Sequence, residues 1–428
     1  MINIIWFISF ENLFHSNFVV SRTNKCYQIN ILIEDFLRYV KIDTQSDDAS
    51  ESTPSSFKQY DLLNLLQKEL HQLGVKSEID EFGRLYAHVE GNNAYDSIGL
   101  CSHVDTALEC SGYDVKPQII HNYQGEDILL GISGLKLSTK DFPHLKKAIG
   151  KTLITTDGTT LLGADDKAGV AIIMDVVRNV LAMKQSERRP LSLLFTPDEE
   201  IGRGPEHFSL EKFNCKYAYT IDGSDPLHVS VENFNAESMD IAIHGKSIHP
   251  GSGKGKLYNA ILLMNELIDL LPENMTPYKT EGREGFNHIV SMEGNVELAR
   301  AHFILRNHDK EKLIEQVKDF ERAKKVIEEK YPGSIVVLVH KEQYKNMGEV
   351  IFKNRDCMDT IENVFNKLDL KLEYTPTRGG TDGATFSFLG CPCPNLGTGS
   401  YNHHGRFEFA ILEEMELMSK IVTEIFRL

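Results

Sequence analysis

Apolar residues along this chain switch between two periods, and the switches divide it into elements. Residues 31–40 and 60–73 repeat apolar side chains at helical spacing, with Gly74 closing the second run as a C-cap. Residues 43–56 between them are polar and read as a loop. Short strands are predicted over 75–89. Ile98-Gly-Leu-Cys101 is continuously apolar and reads as a buried strand that stops at Ser102. Residues 106–163 hold glycines and little periodicity beyond 142–148. A loop of that length in a compact protein usually serves a site. Regular pattern returns at Gly163, which opens a helix with Val170, Ile173, Val177 and Val180 as its apolar stripe. Residues 191–195 and 217–221 are two more buried strands. Such alternation predicts an α/β fold with a mainly parallel sheet and helices on both faces.

The texture changes near Asn233. Residues 238–244 alternate like a half-exposed strand, 259–271 form a helix, and 291–305 hold strand-like stretches. A charged amphipathic helix over 312–330 and a strand over 334–340 follow. Two strand pairs interleaved with two helices make a small α+β layer with one sheet face open. After Asn346 the α/β pattern resumes, with a helix over 357–368 and a loop over 378–384. The expected organisation is an extension (1–29), a catalytic domain (30–232 and 346–428) and an inserted α+β domain of lid or dimerisation type (233–345).

Composition narrows the function. The chain of 428 residues is long enough for two or three domains, and its formal net charge of −16 argues against nucleic acid as the main partner. Seven scattered cysteines, odd in number and without zinc-ribbon spacing, suit reduced thiols in the cytoplasm. The apolar residues 1–20 lack a basic region and carry Glu11 and His15, so they read as a dispensable extension rather than a membrane span. No membrane partner is expected.

Candidate chemistry gathers at element ends. In an extended segment residues i and i+2 share a face, so His103 and Asp105 aim together off the end of the first long strand. A carboxylate beside an imidazole fixes its tautomer and orientation for metal binding. Asp165-Asp166 at a helix start, Asp198-Glu199-Glu200 and Asp222 after strands, and His403-His404 near the C-terminus occupy comparable places. Singly, each is an ordinary cap, turn or surface residue. Jointly, two or more imidazoles and several carboxylates match a mixed N/O site for zinc or a similar dication, and a free Glu beside a ligand Glu suits metal-assisted hydrolysis.

The motifs SHVDT, LLGADDKAG, FTPDEEIG, YTIDG, IHPG, RGGTDGA and YNHHG, in this order, resemble those of the peptidase T family, tripeptide aminopeptidases within the larger group of two-zinc peptidases and deacylases. Agreement runs from about residue 30 to the C-terminus. The resemblance implies two Zn²⁺ per subunit. His103, Asp222 and a bridging Asp165 would hold one; Asp165, Glu200 and His404 would hold the other. Asp166 would support from behind, Asp105 would orient His103, and Glu199 would be the general base and acid. His403 stands where the family often has Tyr, and His404, which precedes the Gly, is the expected ligand. The resemblance also suggests His249 as a donor to the oxyanion, in its own site on lid closure or in a neighbour's. Arg306 is expected to hold the peptide's C-terminal carboxylate, and Gly379 and Gly380 to line the substrate's main chain. The expected substrate is a short peptide, a tripeptide above all. The alternatives are a dipeptidase or N-acyl amino-acid deacylase on the same fold, or a metal-binding protein without catalysis. A monomer and a homodimer both fit.

Overall fold

The computed structural model describes residues 31–428; the expected extension at 1–29 lies outside them. An eight-stranded sheet forms the main layer. Its spatial order is Ser77–Ile79, Leu85–Val89, Leu191–Thr196, Ile98–His103, Tyr217–Gly223, Asn395–Gly397, His228–Ser230 and Glu373–Tyr374. Four of its pairings are parallel and three antiparallel. The sheet is mixed with parallel pairings in the majority: its centre is parallel, antiparallel pairings flank that centre, and the Glu373–Tyr374 edge is parallel again.

Every residue of Ile98–His103 and Leu191–Thr196 is buried, which is why both read as uninterrupted apolar runs. Their side chains alternate between two cores. Leu100 and Leu193 join the large one, while Cys101 and Leu194 face a smaller one with Phe213 and Phe386. Helix Ala164–Leu181 covers the first face and is flanked by helices Ile31–Tyr39 and Leu412–Ile425. The outer helices bury the side of it that a single stripe would leave wet, so Ile172, Met174 and Val176 are buried along with Val170, Ile173, Val177 and Val180. Gly169 permits the close approach to the sheet. A Cβ there would stand 1.9 Å from the Ile221 carbonyl.

Residues 106–163 are not the open loop expected. Strands Gln118–Ile120 and Leu153–Thr155 pair with Phe409–Ile411 and Ser400–Tyr401 into a four-stranded sheet with its own core, including Tyr123, Leu145 and Phe409. Strands of two or three residues are too short to show a period. This sheet holds the two strands that flank residues 402–408, the segment carrying His403 and His404.

A third sheet lies within residues 235–344. Its order is Phe286–Gly294, Leu298–Asn307, Asn235–His244 and Ile335–Tyr344, antiparallel throughout. Helices Ala260–Asp269 and Lys310–Lys330 pack on one face through Leu263, Leu267, Val317 and Phe320. The other face leaves Met292, Val337 and Val339 exposed. The two crossings to the main layer run side by side: Met347 N–H donates to Asn233 Oδ1 (2.7 Å) and Asn346 N–H to Asn235 Oδ1 (3.0 Å). Arg378 adds a tie, donating to the carbonyls of Gly282 (2.9 Å) and Glu284 (2.7 Å). The expected loop at 378–384 is cut short by a helix at Asp382–Phe388, capped by the Thr381 side chain.

Candidate active site

The central parallel strands deliver their C-terminal ends to one edge, where open α/β sheets collect ligands. His103 pairs in register with Thr196, and Cys101 with Thr220, so His103, the Asp198–Glu200 turn and Asp222 arrive at the same level. Asp165 comes from the start of helix Ala164–Leu181, where Asp165 and Asp166 both lie outside helical dihedrals. Glu408 fixes that turn by accepting from the N–H groups of Leu162 (2.7 Å), Gly163 (2.7 Å) and Asp165 (3.0 Å).

The side chains converge on Asp165. Its Oδ1 lies 3.0 Å from His103 Nε2, and its Oδ2 lies 3.2 Å from His404 Nε2. His103 Nε2 is also 3.6 Å from Asp222 Oδ1, and His404 Nε2 is 3.1 Å from Glu200 Oε2. His403 turns aside to Ser400 Oγ at 2.8 Å, with Nδ1 at 3.4 Å from Asp165. Asp105 stands behind His103, 3.2 Å from its Nδ1. The same carboxylate accepts from the N–H of Glu199 (3.0 Å) and of Glu200 (3.1 Å), so it fixes both the imidazole and the acidic turn. Asp198 secures the turn from below, accepting from Ser55 N–H (2.7 Å) and Gln59 Nε2 (2.6 Å). Asp166 is buried, is bonded by the Ser102 hydroxyl, and keeps a carboxylate oxygen within 4.8 Å of the ligand atoms of His103 and Asp222.

The electrostatics are those of a crowded anionic site. Burial raises the pKa of Glu199, with the charges of Asp222 and Asp382 adding to it. Burial and then Asp165 push Glu200 up to about 7. Burial likewise raises Asp222. Burial also acts against ionised Asp165, but the imidazoles of His403, His103 and His404 outweigh it and hold its pKa well below the ordinary carboxylate value. Hydrogen bonding to Asp165 and Glu200 pushes His404 up to about 11. Protons are thus one way to balance this cluster, and cations are the other. The donor atoms suit cations. Ligands at about 2.0–2.1 Å from one tetrahedral ion stand roughly 3.3 Å apart, close to the separations here. The ligand atoms of His103, Asp165 and Glu200, and those of His103, Asp166 and Asp222, each lie within 4.8 Å of one another. Glu200 Oε1 is buried and has no hydrogen-bond partner among the described residues, as suits an oxygen that binds a cation.

A cleft of about 390 Å³ opens over this cluster, lined by Asp165, Glu199, Glu200, Asp222 and His404. Gly379 and Gly380 line it too. Arg306 does not. It sits one layer back, its guanidinium 5.2 Å above the ring of Tyr344, which does line the cleft. His249 is also outside. It is exposed and follows the far end of strand Asn235–His244, whose near end pairs with Tyr344 and Arg306. Eight residues of strand separate those ends by about 25 Å. Glu408, Asp382, Tyr344 and Asn395 carry no role in the sequence reading. Asp382 lies within RGGTDGA, but only its burial in the cleft marks it out.

A mixed α/β sheet whose strand ends bring His103 and the carboxylates together, with His404 supplied by the small sheet beside it, defines an α/β metallohydrolase. The model of peptidase family M20/M25/M40 matches residues 157–427. Peptidase T of Caldanaerobacter subterraneus subsp. tengcongensis is 43% identical over 401 residues, 93% of this chain and 98% of that one. Peptidase T of Escherichia coli K12 is 44% identical over 398 residues, 92% and 97% of the two chains. The aminopeptidase PepT structure from Bacillus cereus superposes with a TM-score of 0.73 at 22% identity, covering 92% of this chain and 97% of that one, and so shares the fold. The chain belongs to peptidase family M20/M25/M40 and, within it, to the peptidase T group.

Proposed function

We propose that this protein is a two-zinc aminopeptidase that releases the N-terminal residue of tripeptides, working in a reducing cytoplasm. The observation that carries the reading is Asp165, whose two oxygens face His103 and His404 on opposite sides while the neighbouring Glu199 makes no ion pair among the described residues. Relatives bearing the peptidase T name over nearly the whole length support the substrate class.

His103, Asp165 and Asp222 would hold one ion, and Asp165, Glu200 and His404 the other. Zinc suits this imidazole and carboxylate set. When bound, the two cations supply the charge that makes water a nucleophile near neutral pH and polarises a carbonyl. Glu199 takes the proton from water and hands it to the leaving amine. Asp105 keeps the His103 ring in place and Glu199 in register with it. Gly379 and Gly380 leave room for the peptide main chain. His249 reaches an oxyanion only through closure of its layer or from a neighbouring copy.

The test is substrate profiling of purified, Zn²⁺-loaded protein on tripeptides, dipeptides and N-acetyl amino acids. Tripeptides are expected to give the highest kcat/KM. Preference for N-acetyl amino acids would establish the deacylase instead.

Arg306 is assigned to the substrate's C-terminal carboxylate, with the Tyr344 ring lying between its guanidinium and the cleft. Its Nη1 donates to the carbonyls of Glu237 (3.2 Å) and Leu305 (2.9 Å), which hold the guanidinium against the Tyr344 ring. Arg306→Ala is expected to raise KM for tripeptides by roughly tenfold or more, the worth of a hydrogen bond to a charged group. C-terminally amidated tripeptides should be poor substrates of the wild type and no worse for the variant. Equal wild-type rates on free and amidated peptides would remove Arg306 from this role.

A further inference from the structure

One carboxylate in the cleft has no counter-charge once the metal ligands and the base are accounted for. Asp105 is bonded by two backbone N–H groups and Ser46, and Asp166 by Ser102 and the Gly169 N–H. Two dications would balance Asp165, Glu200, Asp222 and Glu199. Asp382 remains. It is 5% exposed, lines the cleft beside Glu199 and Asp222, and makes no ion pair among the described residues. Among the described residues its side chain accepts one hydrogen bond, from Thr196 Oγ1 at 2.8 Å to Oδ2, and Oδ1 accepts none. It is also held in place. A Cβ on Gly204 would stand 2.4 Å from each of its oxygens, so only glycine lets that loop close against it. Burying a carboxylate with one neutral donor is costly unless a cation completes the site.

Resting on the aminopeptidase reading, we propose that Asp382 is the anchor for the free α-ammonium group of the peptide substrate. An ammonium group is the cation that every N-terminally free peptide brings and that an N-acylated one lacks. A desolvated, rigidly held carboxylate beside Glu199 and Asp222 pairs with it and would present the first peptide carbonyl to the side of the cleft lined by Asp165, Glu200 and Asp222. A cleft built this way rejects peptides without the charge, because they leave Asp382 buried and unpaired.

The experiment compares a tripeptide with its des-amino analogue, in which hydrogen replaces the α-amino group, on Zn²⁺-loaded wild type, Asp382→Asn and Thr196→Val. Wild type is expected to favour the free tripeptide in kcat/KM by at least about tenfold, the lower worth of a charged hydrogen bond. Asp382→Asn should lose rate on the free tripeptide and little on the analogue, so that the ratio collapses toward one. Thr196→Val removes the neighbouring donor but keeps the charge, and should retain the preference. Calorimetric binding of the two peptides to each protein on a Glu199→Ala background should show the same pattern in Kd. Equal losses on both substrates in Asp382→Asn, or the same loss in Thr196→Val, would make Asp382 a packing residue and overturn the assignment. A wild type that turns over tripeptides without favouring the free amine would overturn it while leaving the aminopeptidase reading intact. A wild type inactive on tripeptides but active on N-acetyl amino acids would sink both.

Discussion

Replacing Asp165 with Asn leaves a folded protein that turns over no tripeptide and holds fewer than two metal ions per chain. The substitution keeps volume and shape, so the turn anchored by Glu408 should survive, since its bonds run to backbone N–H groups and not to the Asp165 side chain. What changes is the pair of oxygens facing His103 and His404. A carboxamide has one oxygen to offer and no charge, so it cannot serve both sides. Loss of a group that merely supports a ligand costs about 10–100-fold in metal affinity or activity; loss of the shared ligand should exceed that and reach both ions. Elemental analysis and kcat on a tripeptide read the two effects together. Two tightly held ions with near-normal turnover would show that Asp165 is not shared.

Much of the site could be read from the chain because each ligand ends an element that announces itself. The strands before His103 and Asp222 are long apolar runs buried on both faces, and both were legible. Helix Ala164–Leu181 was legible as a helix, but its burial on all sides was not, since that depends on helices 31–39 and 412–425, distant in sequence. The small sheet through Gln118–Ile120 and Leu153–Thr155 escaped because strands of three residues leave no alternation to detect. Glu408 escaped for a different reason. A single Glu after an aromatic has no local signature, and its three backbone donors are more than 240 residues away. Arg306 and His249 show the limit of reading roles from type and motif. The type of Arg306 suits a carboxylate, but it lies against a Tyr ring that lines the cleft and does not line the cleft itself. His249 follows the strand end farthest from the cleft, a fact that only the register of Asn235–His244 against its neighbours contains.

Glu199→Ala should retain both ions and lose kcat by at least about a hundredfold, the low end for a general base. Glu199 lines the cleft, yet no imidazole among the described residues forms an ion pair with it, so removing it takes away no metal ligand of the proposed set. Hydrolysis requires one proton to leave water and one to reach the departing amine. A single carboxylate between the two positions can do both. Its environment favours that role. Burial, then the charges of Asp222 and Asp382, raises its pKa, so the carboxylate binds a proton more readily than an exposed Glu does. Dications at the neighbouring ligands would lower it again toward the range where it starts each cycle ionised. Because the base must be ionised, wild-type kcat/KM should fall as pH drops through this pKa, and the variant should lack that acid limb. The backbone stays in place, since Asp105 holds residues 199 and 200 through their N–H groups whatever the side chain. KM should therefore change little, and Glu199→Gln, which preserves packing, should match Ala in kcat. A variant with two ions and near-normal kcat would assign the proton transfer to another group in the cleft, with Asp382 the first to test.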